Sequence, residues 1–201
     1  LALSRSARRG PDQVAQWRVD WHVRMEALAR QYRIGDFFVC ASERQRDWWL
    51  GLLEASGRIN PATFDADPSL RRLVDVVPYG LPEHPLPPAK AAIKGVWPGI
   101  EAGDRLALWG GGLWPWLDPL TAIRAVALLR ERHPRLKLVF PGTRHPNPTM
   151  AGMPNQVEAA KVLAAELGVM DTAVFFGDWV PYADWPHVLQ ESDVALTLHF
   201  D

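Results

Sequence analysis

Between Leu106 and Leu120 the chain runs Leu-Ala-Leu-Trp-Gly-Gly-Gly-Leu-Trp-Pro-Trp-Leu-Asp-Pro-Leu, and few folds accommodate such a succession. Residues 105–109 form a short, largely apolar run, the pattern of a strand covered on both faces in a parallel sheet. Gly110, Gly111 and Gly112 then let the backbone turn with unrestricted φ. Asp118 and Pro119 suit an N-cap and a first helical residue, because the carboxylate accepts from unpaired first-turn N–H groups and proline has none to lose. Strand, glycine turn and helix start thus follow one another directly. The turn brings bare N–H groups to the carboxyl edge of the sheet, an environment that favours phosphate.

The rest of the chain falls into place around this stretch. Val14, Trp17, Trp21, Met25 and Leu28 recur every three or four residues, which predicts an amphipathic helix over 12–32 with its arginines outward. Residues 37–41, Phe-Phe-Val-Cys-Ala, predict a buried parallel strand. Ser42 with Gln45 forms a capping box for a helix through Trp48, Trp49, Leu52 and Leu53 that ends at Gly57. Asp67-Pro68 is expected to open a further short helix, and 73–77 to form a strand, before Pro78 and Gly80 break the pattern. The proline-rich stretch 81–104 has no sustained period and is expected as a linker stiffened by Pro85, Pro87 and Pro88. Beyond it, strands at 105–109, 136–140, 173–176 and 193–198 alternate with helices at 119–132, 156–167 and 185–191. Such alternation defines an α/β fold of parallel, Rossmann-like sheets, divided as 1–80, a linker, and 105–201.

Composition narrows the function classes. At 201 residues, one or two domains of ~100–200 residues each are expected. A net charge of −1 removes the electrostatic case for nucleic acid as a partner. The single cysteine, Cys40, excludes an internal disulfide and a thiolate cluster, so a reducing compartment is expected. No apolar run reaches the ~18–20 residues of a membrane span, and the first ten residues lack a signal-peptide core, which points to a cytoplasmic protein. Arginines outnumber acids over the first 46 residues, as expected of an exposed helix face or of peripheral contact with the inner face of a membrane. The chain opens without methionine, and its last predicted strand runs almost to Asp201, so we expect a region of a longer protein.

In an open parallel sheet the ligand lies beyond the carboxyl ends of the strands. Four loops qualify, at 110–117, 142–147, 177–182 and 199–201, and they offer backbone donors with Arg144, His145, Trp179, His199 and Asp201. That set suits a phosphorylated ligand with a ring to stack and hydroxyls to bind. The glycine run is neither a dinucleotide fingerprint nor a Walker loop, since no third spaced glycine and no Gly-Lys-Ser or Gly-Lys-Thr follows. Asp65-Ala-Asp67 is read as a helix cap rather than a metal-binding pair, and the six histidines have no metal-ligand spacing, so no metal or cofactor is expected. No Ser-His-Asp or Cys-His set can be assembled either.

Four segments taken together resemble the run of motifs in group 1, or family 4, GT-B bacterial glycosyltransferases. They are Asp36-Phe-Phe-Val-Cys-Ala-Ser-Glu-Arg-Gln45, Val77-Pro-Tyr-Gly80, Leu108-Trp-Gly-Gly-Gly112 and Phe175-Phe-Gly-Asp-Trp179. The resemblance covers nearly the whole chain. It implies two Rossmann-like domains facing a cleft, with 1–80 as the end of the acceptor domain and 105–201 as the first part of the donor domain. It also implies a nucleotide-diphosphate sugar as substrate, no catalytic metal, a glycan or lipid-linked acceptor, and a place in polysaccharide biosynthesis. By the same resemblance Gly111, Gly112 and Leu113 face the donor diphosphate, and Trp179 and Val180 sit by the nucleobase. His199 to Asp201 lead toward an acidic element that holds the donor sugar, and catalytic groups are expected outside this chain.

The chain departs from that pattern after the glycine turn, where Leu113-Trp-Pro-Trp-Leu117 replaces the arginine and lysine that neutralise the diphosphate in many members. Arg144 is the candidate replacement, and Trp114 and Trp116 are expected to shape or cover the site. Two other functions share the fold: a non-catalytic, degenerate Rossmann-like binding module, and a nucleotide-sugar epimerase.

Overall fold

A computed structural model of the chain describes residues 11–80, 83, 85–144, 146–147 and 155–199, with side chains from residue 15 onward. The chain divides into two compact units, Leu1–Glu83 and His84–Asp201.

The first unit contains α1 (Pro11–Ile34), β1 (Phe38–Cys40), α2 (Glu43–Ala55), α3 (Pro61–Ala66) and β2 (Val74–Val76). β1 and β2 pair in parallel, Phe38 opposite Val74 and Cys40 opposite Val76. Tyr32, Cys40, Leu53, Leu73 and Val74 form the core. The apolar stripe of α1 enters this core only at its end, through Leu28 and Tyr32, while Trp21 and Met25 stay exposed. β1 is also less buried than its apolar run suggests. Val39 is 61% exposed and Phe37 is exposed beside it, because a two-stranded sheet packed on α2 has one covered face.

The caps show how the sequence fixes the helices. Ser42 Oγ accepts from the Gln45 N–H at 3.3 Å, and Gln45 Oε1 reaches back to the Ala41 N–H at 2.8 Å, one residue before the usual partner. Gly57 ends α2 at a φ of +73°, which costs a residue without Cβ little. The helix expected after Asp67-Pro68 lies instead before it. Asn60 and Thr63 form the capping box of α3, with Pro61 in its first turn, and Asp67 is its C-cap. The Asp67 carboxylate accepts from the Ser69 hydroxyl at 2.6 Å and the Arg72 N–H at 2.8 Å, bonds that hold it below the usual carboxylate range. Two cap-and-proline signals stand seven residues apart, and the second closes a turn in which Leu70 has a φ of +56°.

The second unit contains β3 (Arg105–Trp109), α4 (Pro119–Leu129), β4 (Leu136–Phe140), α5 (Val157–Glu166), β5 (Val174–Phe176), α6 (Trp185–Glu191) and β6 (Val194–Leu196). Its sheet has the order β5-β4-β3-β6, with every pairing parallel. Alternate residues sort to two cores, as the period of two in a strand requires. Ala107, Trp109, Leu138, Phe140 and Val174 face α4 and α5. Leu106, Leu108, Val139 and Phe175 face Val188 of α6 together with Ile93 and Ile100.

Ile93 and Ile100 belong to the stretch expected as a linker, which from His84 onward falls within the second unit. The Glu191 carboxylate holds it there, accepting from the N–H groups of Ala92 (3.2 Å), Ile93 (2.6 Å) and Lys94 (3.1 Å). β6 is shorter than expected and lies at a sheet edge, with Val194 exposed. Asp193 joins it to the sheet by accepting from the Leu106 N–H (2.9 Å), Arg105 Nη1 (2.6 Å) and Lys94 Nζ (3.1 Å). The Leu106 N–H and the two cations hold the Asp193 carboxyl well below the usual range.

The chain is therefore an α/β protein with parallel, Rossmann-like sheets. Among the described residues no helix is long and apolar enough to cross a membrane.

Candidate functional site

In the second unit β3 is the first strand, and the second (β4) and fourth (β6) lie on its two sides. The sheet grows one way from β3 and then the other, as in a doubly wound sheet, where ligands lie beyond the carboxyl ends of the strands. The loop after β3 is the glycine turn.

Neighbouring loops are laced together there. The Gln156 N–H donates to the Leu113 carbonyl at 2.7 Å and Gln156 Nε2 to the Leu117 carbonyl at 2.5 Å, fixing the loop after β3 to the start of α5. The Thr143 N–H and hydroxyl both donate to the Gly177 carbonyl, at 3.0 and 2.8 Å, and the Arg144 N–H donates to the Asp178 carbonyl at 2.8 Å. Those bonds join the loops after β4 and β5. The Asp118 N–H donates to the Leu198 carbonyl at 2.9 Å, and Leu117 and His199 form an antiparallel bridge, so the chain after β6 is pinned beside the glycine loop. Asp118 also caps α4 as expected, accepting from the Thr121 N–H at 3.1 Å and hydroxyl at 2.7 Å.

Between these loops lies a cavity of about 330 Å³. Six of the predicted residues line it together: Gly111, Gly112, Leu113, Trp114, Arg144 and Trp179. Two others do not. Val180 lies against the second core and lines a separate pocket of about 260 Å³ with Trp97 and His187. His199 is exposed at the bridge to Leu117, its Nε2 3.4 Å from Thr197 Oγ1, and is not among the residues lining the cavity. Asp201 and His145 lie outside the described residues.

The glycines serve a purpose other than the one expected. None of Gly110, Gly111 and Gly112 takes a positive φ. A Cβ on Gly110 or Gly111 would meet nothing within 4 Å, so these two leave the backbone open. A Cβ on Gly112 would stand 2.8 Å from Trp114 Nε1, inside contact distance, so that glycine lets the indole close over the turn. Trp114 in turn stacks on Trp116, ring centroids 5.6 Å apart and planes 9° from parallel. The turn is built for close approach rather than for special backbone angles.

Sequence reasoning had not singled out Asn155 and Val157, which also line the cavity. Asn155 Oδ1 accepts from the Val157 N–H at 3.0 Å at the start of α5. An asparagine two residues before a helical period was the available signal. Trp109 and Trp185, two of the tryptophans that cluster near turns in the sequence, form further parts of the wall, Trp109 from its buried position and Trp185 as the first residue of α6.

Arg144 is the one charged side chain in the described lining, which holds no carboxylate, imidazole or thiol. That part of the wall can bind and orient a ligand but offers no group to move a proton. No cluster of three or more His, Cys, Asp or Glu arranged to hold a metal occurs among the described residues. A scan against protein-family models and a search of curated proteins found no match to the chain.

Proposed function

We propose that the second unit binds a nucleotide-diphosphate sugar in this cavity, as the donor domain of a glycosyltransferase of the GT-B kind. The observation that carries this reading is the position of the cavity, beyond the carboxyl ends of β3, β4 and β5 of a parallel sheet and over an open glycine turn. The first unit is the corresponding part of the acceptor side, and the acceptor is a glycan or a lipid-linked sugar on the cytoplasmic face of a membrane. Transfer then rests on holding donor and acceptor in reacting geometry and on stabilising the charge of the departing diphosphate. The backbone at Gly111 and Gly112, with Arg144, supplies the part of that stabilisation available in the described residues. No metal enters this scheme.

Calorimetric titration with UDP-, GDP- and ADP-sugars tests it. We expect weak binding of one of the three and no turnover by the 201-residue chain. Absence of heat with all three, from protein shown to be folded, would remove the donor-site reading.

One observation favours a second reading, a non-catalytic Rossmann-like binding module. Leu113-Trp-Pro-Trp-Leu117 stands where a diphosphate-neutralising pair of cations belongs, and Arg144 alone carries charge in the described wall. Measured sugar transfer by a longer form of the protein would exclude that reading. An epimerase would convert the donor with no acceptor present, so product analysis with donor alone separates the third possibility.

A further inference from the structure

The described lining of the cavity is rich in rings and poor in charge. Trp109, Trp114, Trp179 and Trp185 reach it from four segments: the end of β3, the loop after it, the loop after β5 and the start of α6. Trp109 is buried and fixed, its Nε1 3.4 Å from the Gly112 carbonyl and its ring tilted against Phe140 at 5.6 Å. Trp114 is held over Gly112 and braced by Trp116, while Trp179 is 48% exposed. Rings restrained as Trp109 and Trp114 are lose little side-chain freedom when a ligand packs on them. Against them, among the described residues, stands a single guanidinium, Arg144, on an exposed residue.

These two kinds of contact respond differently to the ligand. An exposed guanidinium balances about one phosphate charge, and salt screens it. An indole stacks on any base, or on the apolar face of a sugar, whatever charge the rest of the ligand bears. We infer that this site recognises its ligand ring first: indole stacking supplies most of the affinity, and the phosphates add little. The inference rests on the reading that the cavity holds a nucleotide sugar, and it names the part of that ligand that is read. Trp179 is the principal stacking residue, because it combines a place in the wall with substantial exposure.

The test is a calorimetric ladder on the full chain, from nucleoside to nucleoside mono- and diphosphate for uracil, guanine and adenine, with free monosaccharides as a separate arm. The nucleoside of the preferred base is expected to bind within about 3-fold of its diphosphate, and Kd is expected to change by less than about 3-fold between roughly 50 and 500 mM salt. Trp179→Ala is expected to weaken binding roughly 5- to 150-fold, the range for loss of one stacked ring, and Trp179→Phe to restore most of it. Indole fluorescence of the unaltered protein, quenched or shifted by nucleoside alone, gives the same answer should the alanine variant fail to fold. Binding of a free monosaccharide in place of the nucleoside also supports ring recognition and assigns the stacked ring to the sugar. A diphosphate that binds about 100-fold more tightly than its nucleoside, with affinity falling steeply with salt, overturns the inference and leaves the donor-site reading intact. No binding by any nucleoside, nucleotide or monosaccharide overturns both.

Discussion

In the unit His84–Asp201, β3 has a paired strand on each edge, and both faces of the sheet meet buried side chains. In Leu1–Glu83 a similar apolar run, Phe37 to Cys40, has one paired strand and leaves Val39 in water. The runs look alike in sequence, yet their burial differs because burial depends on how many elements a unit can pack against them. The difference also bears on the site. Loops can be held in fixed relation only where the strands beneath them are clamped, and the laced loops around the cavity stand on the better-covered sheet.

Substitutions can break or sharpen that contrast. Phe140→Ala has the largest expected effect: Phe140 is fully buried between Trp109 and Phe176, and the cavity left behind should cost about 3–5 kcal/mol in denaturant unfolding. A cost below about 1 kcal/mol would mean that the second unit is not held by this core.

Asp193→Asn comes next. It weakens the acceptor of the Leu106 N–H and removes the charge facing Arg105 and Lys94, for about 1–2 kcal/mol, less than a fully buried charged bond because 27% of the side chain meets solvent. The folded carboxyl lies below its unfolded value of ~3.9, so its contribution is present above that pH and is lost as pH falls toward the folded value. Acid titration of stability should therefore be shallower in the variant than in the parent. An unchanged acid slope would show that the clamp at β6 carries no linkage.

Val39→Thr should be nearly neutral, within about 0.5 kcal/mol, although it alters an apolar strand residue. A cost of several kcal/mol would show that Val39 is covered in solution, and the contrast between the units would fall.

Much of this architecture was legible from local chemistry. The spans of β3 and β4, the Asp118 cap and the Ser42–Gln45 box follow from apolar runs and capping side chains, whose partners lie within a few residues. What depends on distant partners was not. The stretch 85–104 lacks a period because Ile93 and Ile100 enter the core from an irregular segment held by Glu191, almost a hundred residues away in sequence. The α3 assignment failed because two cap-and-proline signals competed. At the cavity, Gly111, Gly112, Leu113, Trp114, Arg144 and Trp179 could be found from the rule that ligands sit after strands. Val180, named from the resemblance, and His199, named from the rule, are not among the residues lining the cavity, since a loop residue's side cannot be read from its distance to a strand end. The role of Gly112 was hidden for a related reason: the need for a glycine there comes from Trp114 folding back, not from the turn's own backbone angles.

The most direct measurement is an amide and indole nuclear magnetic resonance titration of the full chain with the best-binding sugar nucleotide. The account predicts that the N–H signals of Gly110, Gly111 and Gly112 and the indole signal of Trp179 move together and saturate with the calorimetric Kd. Saturating binding that leaves all four signals in place would contradict it.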